Sequence, residues 1–107
     1  KMALPGSFLN KHVIKDNYKR QKFAEAEVER LALRYIVRST ELPSKTRLMA
    51  QIKLATMPKY TSITQVHNRC ITSGYGRNVD TKTRLCHKQF RTKALEGYLT
   101  GIKKASW

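Results

Sequence analysis

The sequence predicts a mainly α-helical chain. It should have a long N-terminal helix and a second helix forming a hairpin-like arm, then a long irregular basic loop, a short C-terminal helix and an extended tail, with little independent core. Three observations predict this. About 28 residues from Lys11 onward contain neither Gly nor Pro. The 27 residues from Lys59 to Leu85 are rich in Thr, Ser, Gly and Asn and show no hydrophobic period. Finally, the chain has 107 residues, 22 of them Lys or Arg against 7 Asp or Glu, and so short a chain buries proportionally little surface.

The first helix is expected from about Lys11 to Ser39, a segment rich in Lys, Glu, Ala, Leu and Arg. Ala24, Val28, Leu31 and Tyr35 follow at steps of four, three and four, which is one face of a helix. Lys11, Lys15, Lys19 and Lys22 form another face, and Arg30, Arg34 and Arg38 continue as a basic row. At 1.5 Å per residue such a helix is about 40 Å long, more than a domain this small packs along its whole length. Leu42-Pro43 breaks it, and Ser44 is placed to cap a second helix. Leu48, Ile52 and Ala55 give that helix an apolar stripe, and Met57-Pro58 stops it. Folded back as a hairpin, the two would bury Leu31 and Tyr35 against Leu48 and Ile52.

A loop as long as Lys59–Leu85 inside a compact domain is usually functional or ordered by a partner. It carries Arg69, Arg77, Lys82 and Arg84, and Gly74 and Gly76 free its backbone to follow an irregular surface. The pattern suggests a peptide moulded onto RNA, a mobile linker being the plainer reading. A last helix is expected from Cys86 to Glu96, with Cys86, Phe90 and Ala94 on one side and Gly97 as its left-handed terminator. The tail then runs out basic to Trp107, whose ring is expected to pack on a base, a sugar or a neighbouring protein.

Charge divides the chain. Residues 1–41 hold nine Lys or Arg against five acids, a net of +4; residues 42–107 hold thirteen against Asp80 and Glu96, a net of +11. The second part has the electrostatic footprint of a polyanion binder. No run of 18 apolar residues offers a membrane span, and no basic segment leads into an apolar stretch, so no secretory signal is expected. The sequence begins at Lys1 without an initiator Met, which leaves a trimmed leader open. Two cysteines, Cys70 and Cys86, are too few for a disulfide scaffold, so a reducing compartment is expected.

Catalysis fits poorly. His12, His67 and His87 lie in no recognisable motif, and there is no phosphate loop, nucleophile elbow or acid pair. Cys86 and His87 are adjacent on a helix and so point in different directions. No metal or other cofactor is expected either: Ser73 and Gln89 stand three positions after Cys70 and Cys86, where tetrahedral zinc would need two further thiolates or imidazoles.

Asn68-Arg69-Cys70, Thr72-Ser73-Gly74, Arg91, Gly97 and the ending Gly101-Ile102-Lys103-Lys104-Ala105-Ser106-Trp107 together resemble the fourteenth protein of the small ribosomal subunit, the S-fourteen family. Lys19-Arg20-Gln21 and Met57-Pro58 also match, so that the resemblance covers about residues 10–107. It implies binding to ribosomal RNA in the head of the small subunit, contacts with other head proteins, and no catalysis. The family has a form with two Cys-x-x-Cys pairs that hold zinc and a form without them. Cys70 and Cys86 fall on the first Cys of each pair, so this chain resembles a zinc-free member retaining half of the ligands. The family's usual Gly-Arg-Pro turn is altered to Gly74-Tyr75-Gly76-Arg77. Leu4-Pro5-Gly6, the stretch Ile14–Gln21 and Arg84-Leu85-Cys86 resemble fungal mitochondrial members, which implies the mitochondrial matrix as location.

The expectation is a single ribosomal domain, with residues 1–58 a helical arm and residues 59–107 the RNA-binding part. The expected backbone contacts are Lys19, Arg20, Arg69, Arg77, Lys82, Arg84, Lys88, Arg91, Lys103 and Lys104, with Trp107 stacking or wedging. No membrane and no small-molecule substrate are expected as partners, and the free protein is expected not to fold fully alone. The alternative is a free-standing basic nucleic-acid-binding protein, but a DNA reader would need a recognition helix bounded by a tight turn, and the long loop argues against that. A membrane-surface peptide would need a broad Trp- or Phe-rich face on the long helix, and that face offers Ala24, Val28, Leu31 and Tyr35.

Overall fold

The computed structural model describes residues 9–107; Leu4-Pro5-Gly6, which contributes to the resemblance, lies outside them. Helix α1 is Lys11–Arg38, α2 is Ser44–Thr56 and α3 is His87–Leu95, with two short 3-10 turns at Lys59–Thr61 and Ile63–Gln65. No strand forms among the described residues, only an isolated antiparallel bridge between Val79 and Cys86. The contacts group into two compact units, one containing Lys15–Val66 and the other containing His67–Trp107 with the residues up to Ile14.

Helix α1 starts where local chemistry dictates. Asn10 caps it, its side-chain Oδ1 accepting the Val13 N–H at 2.9 Å, which supplies one of the partners a helix start lacks. Ser44 does not cap α2. It is the first helical residue, Pro43 occupies the cap position, and no side chain accepts a hydrogen bond there. Proline's fixed φ suits the entry to a helix, so the chain needs no cap from the serine. Met57 is extended at φ −62, ψ 146, the conformation that a following proline imposes.

The hairpin forms, with a different face inward. Arg47 Nε donates to the Val37 carbonyl at 3.1 Å, and Lys53 pairs with Glu29 at 2.9 Å. Leu33 and Ala50 lie between those two links and are the buried apolar residues of the pair. Leu31, Tyr35, Leu48 and Ile52, expected inside, are 55%, 75%, 61% and 55% exposed. At 100° per residue Leu31 lies about 200° from Leu33, and Leu48 about 200° from Ala50. The sequence pattern therefore selected the opposite side of both helices. The inward side of α1 carries Phe23, Ala26, Arg30, Leu33 and Val37, all buried or half-buried at steps of three and four. Its apolar signal is interrupted by Arg30, which is why a search for apolar periodicity passes over it. Arg30 Nε donates to Thr61 Oγ1 at 2.9 Å, and Thr61 Oγ1 donates to the Pro58 carbonyl at 2.6 Å. The buried hydroxyl is thereby satisfied as donor and acceptor.

Around His67–Trp107, the long loop is closed by two turns of the same construction. In the first, Cys70 N–H donates to the Tyr75 carbonyl and Gly74 N–H donates to the Cys70 carbonyl, both at 2.9 Å. In the second, Asp80 N–H donates to the Leu85 carbonyl at 3.0 Å and Arg84 N–H to the Asp80 carbonyl at 2.8 Å. The fifth residue of each turn is left-handed, Gly74 at φ 72 and Arg84 at φ 58. Ile71 N–H donates to the Arg84 carbonyl at 3.1 Å and ties the turns together. Cys70, Leu85 and Cys86 form the small core, with Val79, Phe90 and Leu99 packed against it. The segment is thus irregular but internally bonded. Helix α3 is one residue shorter at each end than expected, with Cys86 as its N-cap. Gly97 at φ 87 ends it: Gly97 N–H donates to the Ala94 carbonyl and Tyr98 N–H to the Lys93 carbonyl, the paired bonds of a Schellman motif.

Candidate nucleic-acid interface

Acids and bases are handled differently in the two units. In Lys15–Val66, carboxylates answer cations: Arg20 pairs with Asp16 at 2.8 Å, Lys22 with Glu25 at 3.1 Å, and Lys53 with Glu29. In His67–Trp107, Asp80 serves the second turn instead. It accepts from the Thr83 hydroxyl at 3.0 Å and the Thr83 N–H at 3.2 Å. The Thr83 hydroxyl first, and then the Lys82 and Thr83 amides, hold its carboxyl below the usual range. Seven cations of this unit stay exposed: Arg77, Lys82, Arg84, Lys88, Arg91, Lys103 and Lys104.

The structure places the expected RNA contacts in four settings. Lys19 lies against Tyr60, its Nζ 5.8 Å from the ring centroid, and Arg20 is paired as above. Arg69 turns inward, its Nη1 donating to the Gly74 carbonyl at 2.9 Å. Lys88 reaches from α3 to the first turn, with Nζ 5.5 Å from the Tyr75 centroid. Trp107 is fully exposed at the end of the tail beside Lys103 and Lys104.

Arg69 and Arg77 meet at a cleft of about 390 Å³ beside the first turn, which Asn10, His12, His67 and Tyr75 also line. Sequence reasoning did not select His12, His67 or Tyr75; the one available signal was Tyr75 set between two glycines. His67 Nε2 is hydrogen-bonded to the Gly76 carbonyl. A Cβ on Gly76 would stand 3.1 Å from Arg69 Nη1 and 3.2 Å from the His67 ring. Any larger residue there would make Arg69 or His67 give by a few tenths of an ångström.

Cys70 and Cys86 are both free thiols and both buried. Burial opposes ionisation of Cys70, but hydrogen bonds from the Ser73 and Thr72 hydroxyls and from the Cys86 and Ser73 amides outweigh it and lower the thiol to about 6. Ser73 Oγ lies 3.7 Å from Cys86 Sγ. The four positions that the resemblance sets against zinc ligands, Cys70, Ser73, Cys86 and Gln89, hold two thiols, a hydroxyl and an amide, a donor set that does not fit tetrahedral zinc. Among the described residues no helix is long and apolar enough to cross a membrane.

Residues 53–106 match the family described as ribosomal protein S14p/S29e. Across 107 residues, all of this chain and 94% of the relative, it is 52% identical to small ribosomal subunit protein uS14m of Eremothecium gossypii. It is 47% identical to uS14m of Neurospora crassa over 102 residues, 95% of this chain and 90% of the other. To small ribosomal subunit protein uS14 of the bacterium Chlorobium limicola it is 41% identical over 97 residues, 91% of this chain and 97% of the other.

Proposed function

The chain belongs to the ribosomal protein S14p/S29e family, and on that footing we infer that it is a structural constituent of the mitochondrial small ribosomal subunit. The observation that carries this reading is the 52% identity to a fungal mitochondrial relative along the entire chain. That identity also weighs against a free-standing nucleic-acid binder. The bacterial relative is less similar at 41%, which favours the mitochondrial location.

The mechanism is electrostatic and architectural. Exposed Arg77, Lys82, Arg84, Lys88, Arg91, Lys103 and Lys104 neutralise RNA phosphates and release counterions, and the tied turns hold several of them in fixed register. Lys19 and Arg20 act more weakly, because Arg20 is partly neutralised by Asp16. Trp107 stacks on a base or wedges against a neighbour. Arg69 acts chiefly by fixing the first turn. The RNA is that of the head, and the outward apolar stripes of α1 and α2, including Val28, Leu31, Leu48 and Ile52, meet neighbouring head proteins. No catalytic step is assigned, since the His and Cys residues form no oriented nucleophile–base pair.

Sedimentation tests this reading. Tagged protein from a mitochondrial lysate, run on a sucrose gradient across a salt series, is expected to migrate with the small subunit and to stay there at moderate salt. Migration at the top of the gradient at every salt would overturn it.

A further inference from the structure

We propose that the cleft beside the first turn holds a single unpaired nucleotide of the bound RNA, its base on the Tyr75 ring and its phosphate against Arg77. The proposal rests on the RNA-binding reading above and goes further, because phosphate contacts alone would be satisfied by a continuous duplex.

The wall of the cleft carries the inference. None of its lining residues is acidic, and two are arginines. Asn10 and His12 bring the start of α1 to it, the end of a helix that carries partial positive charge. Arg69 spends one Nη1–H on Gly74, and a guanidinium has five N–H donors in a fixed fork. Tyr75 is 40% exposed and held by the Lys88 ammonium. A half-exposed phenol ring that shares a cleft with two arginines offers a base a π-surface and offers its phosphate a counter-charge in the same place.

Size and rigidity agree with such an occupant. About 390 Å³ lies at the small end of ligand pockets, ~300–1,000 Å³, suited to one nucleotide rather than a helix. The floor is preformed: the His67–Gly76 and Arg69–Gly74 hydrogen bonds lock it, so binding orders little that is not already ordered. A duplex edge presents its bases stacked and inaccessible to Tyr75, so the recognised species is a base extruded from its helix.

Ultraviolet cross-linking of intact small subunits carrying the unaltered chain tests the site directly. The expected product is a mononucleotide adduct on the peptide spanning residues 67–77, at Tyr75. Base-selective chemical probing of the ribosomal RNA then compares subunits carrying Tyr75→Phe and Tyr75→Ala. One nucleotide is expected to stay protected with phenylalanine and to become roughly fivefold or more reactive with alanine, the lower end for loss of one stacked base. Adducts confined to α3 and the tail, an adduct joining Tyr75 to another protein, or identical reactivity in both variants would overturn the proposal while the chain still sediments with the subunit. Failure of the unaltered chain to sediment there would instead overturn the RNA-binding reading and the cleft's occupant with it.

Discussion

Cys70 shows how the groups around one thiol set its ionisation. Its carbonyl and amide close the first turn, and its sulfur receives hydrogen bonds from the Thr72 and Ser73 hydroxyls. Because the folded-state thiol is depressed from about 9 to about 6, it contributes stability that is fully present above about pH 9. That stability is lost as pH falls toward about 6. The thiolate ultraviolet absorbance of the protein, less that of a Cys70→Ser variant, is expected to rise with a midpoint near pH 6; a midpoint at the ordinary thiol value would refute the hydrogen-bond account. Arg84 makes the complementary case. It holds a left-handed φ of 58, a conformation that costs a side-chain-bearing residue roughly 1–2 kcal/mol. Arg84→Gly relieves that cost, whereas Arg84→Ala keeps it and removes the same charge. Hydrogen exchange of the 78–86 segment is expected to be slower in the glycine variant than in the alanine variant by about fivefold. Equal exchange would mean that the turn is not strained. The sequence displayed Gly74 as a turn residue, but nothing in it marked Arg84 as the matching position of a second turn, since arginine gives no conformational signal.

At the scale of the element, helix ends were legible and helix faces were not. Pro58 and Gly97 act on their own neighbours, and the observed ends at Thr56 and Leu95 follow from them, while Pro43 bars the chain from continuing as helix through the turn after Arg38. Faces are different. Helix α1 carries two stripes at steps of three and four, Ala24–Val28–Leu31–Tyr35 and Phe23–Ala26–Arg30–Leu33–Val37. The first is the more continuously apolar, yet the second is inside, because Arg30 finds Thr61 and Pro58 and Arg47 finds Val37. Thr61→Val deprives the Arg30 guanidinium of a buried acceptor and is expected to cost about 1–3 kcal/mol, read as faster hydrogen exchange of residues 58–66. The outward stripe yields the opposite expectation. Leu31→Glu adds a charge to an already exposed position, so helix content by circular dichroism should be unchanged. Retention in the small subunit should fall because a protein contact there is lost; unchanged retention would show that this face is solvated.

At the scale of the whole molecule, charge separation governs behaviour. Carboxylates in Lys15–Val66 answer their cations, whereas Lys103 and Lys104 extend beyond α3 on an exposed tail. Binding of the full chain to small-subunit RNA should therefore weaken steeply with salt. Replacing both Lys103 and Lys104 with Ala should reduce the slope of log affinity against log salt by about 2; an unchanged slope would remove the tail from the interface.

The sequence by itself determined the helical class, the element ends, the asymmetry of charge and the family, because each is written in local composition, single breakers or a colinear run of residues. Tertiary structure alone decided which side of α1 and α2 faces inward, that the irregular loop closes as two matching turns, and that His12, His67, Arg69, Tyr75 and Arg77 share one cleft. The inward faces and the cleft depend on partners 10 to 65 positions apart in the chain, and the two turns, each closed locally, are tied to one another by the Ile71–Arg84 bond across 13 positions. They rest on hydrogen bonds such as Arg30 to Thr61, whose existence no periodicity encodes, because a polar side chain is tolerated inside only when a specific distant group satisfies it.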